Sequence, residues 1–315
     1  METKTNISIL CATDEGFAPY CGIMLTSLLD NNKESRLCVY VFVSDDFSQV
    51  NRRKYKSFED RYDCSIILME MDNRMVEGLP VFALHSITIP TYYRLFAARI
   101  LPKEVSRIIY LDCDIIVRGS LKSMWDTEMG NQLIAGVKDC GPRNEEMTVR
   151  LGYPSSYGYF NAGAVLINLD AWRKSDIDEQ IMPFVKEHQD HLLYMDQDVL
   201  NGLMHSRKVL LPIRYNFQTQ AFRKHYWVMY TETDRASLRE EMDTAVIIHY
   251  CGNLKPWHFM YKGGAFYADW EKYRRISDWR CCRKRRPFKK YVKQVVKRNL
   301  FPTLWQKQVN ALWAL

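Results

Sequence analysis

No stretch of this 315-residue chain reaches the roughly 18 uninterrupted apolar residues that a membrane-spanning helix needs. The opening "METKTNISIL" carries one cation, Lys4, and passes straight into a strand-like run. It lacks the order of a secretory leader, so the expectation is a cytosolic chain without an N-terminal anchor of the Golgi type. C-x-x-C spacings are also missing. The nine cysteines are scattered, their count is odd, and Cys281–Cys282 is the one close pair. Neither a zinc ribbon nor a disulfide framework fits, and reduced thiols are expected. Internal repeats and low-complexity tracts are absent. Acidic residues are absent from 279–315, which holds eleven Lys or Arg. Taking those eleven from the net +7 of the whole chain leaves −4 for residues 1–278.

What remains is a core-forming body. Apolar residues make up 47% of the chain, enough for one large domain or two modest ones. Strand-like and helix-like segments alternate. "NISILCA", "LCVYVFVSD", "SIILMEMD" and "RIIYLDCDIIV" read as strands. "APYCGIMLTSLLDNN", "SQVNRRKYKSFEDRY" and "TYYRLFAARILP" read as helices. Further on, "GYFNAGAVLINLDAWR" reads as a strand entering a helix, "YMDQDVLNGLM" as a helix, and "DTAVIIHYCGNLKPWH" as a late strand entering a loop. The alternation predicts an α/β fold with a mostly parallel sheet flanked by helices. Ligands of such sheets gather beyond the carboxyl ends of the strands, where Asp14, Asp45 and Asp114 fall. The domain boundary is expected near residue 275, giving a body of 1–275 and a tail of 276–315.

Asp112 and Asp114 interrupt an apolar, β-prone run. Read as one strand, it puts both carboxylates on one face. Two adjacent carboxylates repel, and a divalent cation removes that repulsion. The competing reading is a pair of strand-end residues meeting solvent or an arginine. His249 ends a second apolar run, "IIHYCGNLKPWH". As a third ligand it favours Mn²⁺ over Mg²⁺; otherwise it is a structural histidine. Gly252 would let a backbone approach a phosphate, and Lys255 would bring it a point charge.

With "ILCATDEGFAPY", "TYYRLFAARILP", "YLDCDIIVRGSL", "YFNAGAVLINLDAWR", "YMDQDVLNGL" and "HYCGNLKPWH" in this order, the chain resembles the retaining glycosyltransferases of family 8 over about residues 6–275. Bacterial lipopolysaccharide galactosyl- and glucosyltransferases are the relatives in view. The resemblance implies a GT-A fold, a UDP-galactose or UDP-glucose donor and a divalent ion, Mn²⁺ or alternatively Mg²⁺, on its phosphates. It places metal ligands on Asp112, Asp114 and His249. The nucleotide is expected against Ala12, Thr13 and Asp14, with Cys113 beside it and Gly252 and Lys255 at the phosphates. Arg94, Asp139, Asn161, Asp196 and Gln197 are expected at the donor sugar. Gly16 stands where the family often has Asn. Without the resemblance, Arg94 reads as a surface helix residue, Asn161 as a cap, the 196–198 "DQD" as a solvated helix turn, and Trp257 as core.

The tail mixes ten cations in 280–298 with Tyr291, Val292, Val295 and Val296 at helical spacing. Leu304, Trp305, Val309, Leu312 and Trp313 follow. The pattern fits an amphipathic anchor on an anionic membrane, with a solvated or docked tail as the alternative readings. No nucleic-acid motif accompanies the charge. The expected protein is a hexosyltransferase on the inner face of the cell membrane, extending a lipopolysaccharide core or similar glycolipid. Its alternatives are an enzyme modifying a protein or itself, as glycogenin does, and a non-catalytic nucleotide-sugar-binding protein.

Overall fold

The computed structural model describes residues 4–80, 89–141, 144–252, 254–258, 261 and 266–282. The first strand, β1 (Thr5–Thr13), leads into the helix Ala18–Asp30. β2 (Ser35–Val43), a helix over Gln49–Lys56 and β3 (Cys64–Glu70) come next. β4 (Arg107–Leu111), β5 (Ile115–Val117), β6 (Ile134–Lys138), β7 (Phe160–Asn168) and β8 (Lys208–Leu210) follow. Then come β9 (Phe217–Gln218) and β10 (Ile247–His249).

Seven strands form the main sheet in the order β3-β2-β1-β4-β7-β6-β8. β7 runs antiparallel to β4 and β6, and the other pairs are parallel. The α/β expectation therefore holds. Side chains alternate across the sheet. Ile9, Cys11, Ile109 and Leu111 join the core on one face, and Leu10, Ala12, Ile108 and Tyr110 join the core on the other. Both faces are covered, which is why these strands read as nearly continuous apolar runs. Among the described residues no helix is long and apolar enough to cross a membrane.

Two expectations need correction. "RIIYLDCDIIV" is two strands, because β4 ends at Leu111 and β5 starts at Ile115 in a second sheet, ordered β5-β10-β9. Leu111 pairs with Ala164 of β7, whereas Ile115 pairs with His249 of β10. The chain changes partners between them, so Asp112, Cys113 and Asp114 form the turn at the crossing. The shared-face argument for the two carboxylates fails, and the turn does the work instead. In "TYYRLFAARILP" the span Ile89–Phe96 is a 3₁₀ helix, and α-helix covers Ala97–Ile100. Thr91, Tyr92 and Tyr93 lose side-chain freedom in a regular α-helix, and Tyr92 through Phe96 are buried here.

The packed body continues to the last described residues. Trp279 is buried and lies over Gly22, where an added Cβ would come within 2.1 Å of its ring. Its Nε1–H donates to Asn51 Oδ1 at 3.1 Å.

Candidate active site

The crossing turn brings the acidic pair to the carboxyl edge of the main sheet. Asp112 N–H donates to Gly163 O at 2.8 Å, and Tyr250 N–H donates to Asp114 O at 2.9 Å, so β7 and β10 hold the turn from both sides. His249 Nε2 lies 3.2 Å from Asp114 Oδ1 and 3.9 Å from Asp112 Oδ2. Ligand atoms of Asp112, Asp114 and His249 all lie within 4.8 Å of one another.

A polar chain orients this cluster. Asn161 Nδ2 donates to Asp139 Oδ2 at 3.0 Å, so Asn161 Oδ1 is left to accept from Asn216 Nδ2 at 2.9 Å. Asn216 Oδ1 then accepts from His249 Nδ1 at 2.9 Å. In the neutral imidazole this turns the Nε2 lone pair toward the two carboxylates. Three acceptors facing one point fit a hard divalent cation. Asn161 thus serves in this chain and in β7, not as a helix cap.

Glycine at 163 makes room for the cluster. A Cβ there would sit 2.2 Å from His249 Cε1 and 2.8 Å from Asp112 Oδ2. Neither Gly163 nor Asn216 emerges from motif reading. Gly163 lies inside a quoted motif without a chemical signal of its own, and Asn216 lies in an irregular stretch.

Charge is balanced from two sides. Lys255 Nζ contacts the Asp114 carboxylate and donates to Tyr250 O at 2.9 Å. Burial opposes ionisation of Asp114, but the Lys255 ammonium counters it, and the carboxyl lies well below its usual range. On the other side Arg94 is buried. Its Nη2–H donates to Asp112 Oδ1 at 2.7 Å, and its guanidinium stacks on Tyr110 at 3.9 Å. Burial weakens the Arg94 charge, yet Asp112 and Asp196 keep it firmly cationic. Arg94 is no surface residue.

Asp196 is likewise buried, so "DQD" is not a solvated turn. Arg94 Nε lies 2.9 Å from Asp196 Oδ2, but that N–H points to Thr91 O at 3.1 Å. Asp196 Oδ2 therefore accepts no hydrogen bond among the described residues. Burial pushes the Asp196 carboxyl up to about 6 despite Arg94, and the charge of Asp112 adds to the rise. Gln197 Oε1 accepts from Ala162 N–H at 3.0 Å, and its Nε2 lies 3.3 Å from Asp139 Oδ2.

The remaining candidates line the same edge. Cys113 Sγ–H donates to Ala12 O at 3.1 Å, tying the acidic turn to the end of β1. Thr13 is buried, and Asp14 Oδ1 accepts from Phe17 N–H at 2.7 Å at the start of the first helix. Gly252 has φ +81°, and an added Cβ would meet the Arg223 guanidinium at 2.9 Å. Trp257 belongs to the core, stacked on Tyr20 at 3.9 Å.

A sheet of this order with an acidic turn at its carboxyl edge is the architecture of the GT-A glycosyltransferases, and solved enzymes of that class superpose on it. The galactosyltransferase LgtC, solved in complex with donor and acceptor sugar analogs, matches with a TM-score of 0.76 and 27% identity over 88% of this chain and 100% of that one. The chain belongs to glycosyl transferase family 8, whose model matches residues 8–260. General stress protein A of Bacillus subtilis is 29% identical over 79% of this chain and 87% of its own length. The lipopolysaccharide 1,3-galactosyltransferase of Salmonella typhimurium is 28% identical over 80% and 73%. The lipopolysaccharide 1,2-glucosyltransferase of Escherichia coli K12 is 26% identical over 82% and 75%.

Proposed function

We propose that this glycosyltransferase moves galactose or glucose from a UDP-sugar, with retention, to a saccharide of a bacterial surface glycan such as a lipopolysaccharide core. The observation that carries the reading is the convergence of Asp112, Asp114 and His249 on one point. The two named lipopolysaccharide transferases support the acceptor class.

A divalent cation on those three ligands, Mn²⁺ by the imidazole in the set, would stabilise the negative charge that grows on the departing diphosphate. Lys255 rests on Asp114 while that carboxylate needs a counter-charge. Relieved of it, the ammonium turns to the diphosphate. Asp196, paired with Arg94 at 2.9 Å, backs the donor-sugar side of the site. Gln197 keeps its amide beside the anomeric centre. The acceptor oxygen attacks on the face from which the diphosphate leaves. One C–O bond forms as the other breaks, and the acceptor's proton passes to a diphosphate oxygen.

Incubation with UDP-galactose or UDP-glucose and Mn²⁺ should release UDP slowly without acceptor. Asp112→Asn should lower that release by at least about a hundredfold and abolish Mn²⁺ binding seen by electron paramagnetic resonance. An Asp112→Asn chain that binds Mn²⁺ and releases UDP like the parent would end this reading.

A further inference from the structure

Behind Gln197 lies a buried polar network that the proposed chemistry does not use. Asp198 is fully buried and accepts five hydrogen bonds. Arg150 supplies two, at 3.0 and 2.7 Å. Leu193 and Tyr194 N–H supply two more, at 2.6 and 2.8 Å. The fifth comes from Tyr159 O–H at 2.7 Å. Gln197 Nε2 lies 3.1 Å from the same phenol oxygen.

The direction of these bonds matters. A phenol has one proton, and Asp198 takes it. Burial, with the charge of Asp198, keeps that phenol protonated far above its ordinary range. Toward Gln197 the Tyr159 oxygen can therefore only accept. The amide nitrogen must face it, and the amide oxygen must face Ala162 N–H on the opposite side. A flipped amide would set oxygen against the phenol lone pairs and Asp139 Oδ2, and nitrogen against a backbone donor.

We propose that Tyr159 is a positioning residue that fixes the orientation of the Gln197 amide, with Asp198 and Arg150 holding the phenol's proton in place. The role rests on the reading that Gln197 faces the donor sugar. Tyr159 acts through Gln197 and does not touch the reacting atoms.

The test is a double-mutant cycle on the full chain. UDP release from the UDP-hexose is measured with Mn²⁺ for the parent, Tyr159→Phe, Gln197→Ala and the double variant. Donor affinity is measured by calorimetry. Tyr159→Phe should lower kcat between about tenfold and about a hundredfold, the range expected when a reacting group is misplaced. Its donor Kd should stay within about twofold of the parent. On the Gln197→Ala background the same substitution should change kcat by less than about twofold.

A Tyr159→Phe chain with parental kcat overturns the proposal, as does a loss that persists in full without Gln197. Should Tyr159→Phe fail to fold, Asp198→Asn is judged by the same coupling to Gln197. A parent chain that releases no UDP from either donor overturns the proposed function itself, whereas an active parent with an undiminished Tyr159→Phe overturns only the positioning role.

Discussion

A methyl group at residue 163 would occupy the space of the His249 imidazole. At this scale the site is a set of exclusions and unmet acceptors as much as a set of ligands. Asp196 shows what such a site costs the fold. An unfolded aspartate ionises near pH 4, roughly, whereas burial lifts Asp196 to about 6 in the folded chain. Between those values the folded state holds a proton that the unfolded state has released. Stability therefore falls as pH rises through the window, and stays lower above it. Asp196→Asn keeps an oxygen for Thr91 O–H, now at 2.7 Å, and removes the buried charge. It should gain on the order of 2 kcal/mol at pH 7. The gain should vanish near pH 4, while UDP release drops. Thermal melts across that range check it, and a variant less stable than the parent at pH 7 would refute it.

Elements set which of these residues can meet. Asp112 and Asp114 were legible as a candidate cation site because two carboxylates this close demand compensation in any geometry. Their turn was not legible. A switch between sheets leaves no periodic signature when β4 and β5 are both apolar on both faces. Without the family resemblance, Arg94 reads as a surface residue because an isolated cation usually is one. Its burial follows from long-range partners, Asp112 and Asp196, that no local pattern encodes. Asn216 and Tyr159 hydrogen-bond His249 and Gln197 across long stretches of chain, so spacing could not reveal them. Packed side chains run on to Trp279, past the boundary expected near residue 275. Trp279 seals the helix Ala18–Asp30 against Tyr55 and Phe58. Trp279→Ala should destabilise the chain by about 3–5 kcal/mol, the range for emptying a buried aromatic site. Chemical denaturation measures this. Unchanged stability would mean that the body ends before residue 279.

The whole molecule is electrically lopsided. Residues 1–278 carry a net −4 while ten of the eleven cations of 279–315 fall after Cys282. The membrane-anchor expectation covers 276–315, of which 283–315 lie outside the described residues, but its physics can be weighed against the body. An acidic body is repelled by an anionic bilayer, so any attraction must come from the tail. Each Lys or Arg near such a surface contributes about 1 kcal/mol, and salt screens it. A transferase whose acceptor is anchored in lipid would gain from being held beside it. The full chain should then sediment with vesicles containing phosphatidylglycerol at low salt, and come off them as ionic strength rises. Neutral phosphatidylcholine vesicles should hold it far less. A chain ending at Cys282 should stay in the supernatant and release UDP at the parental rate, because the cation cluster and Gln197 lie within the body. Equal binding to neutral and anionic vesicles, or sedimentation of the shortened chain, would remove charge attraction by the tail as the force that brings this enzyme to its acceptor.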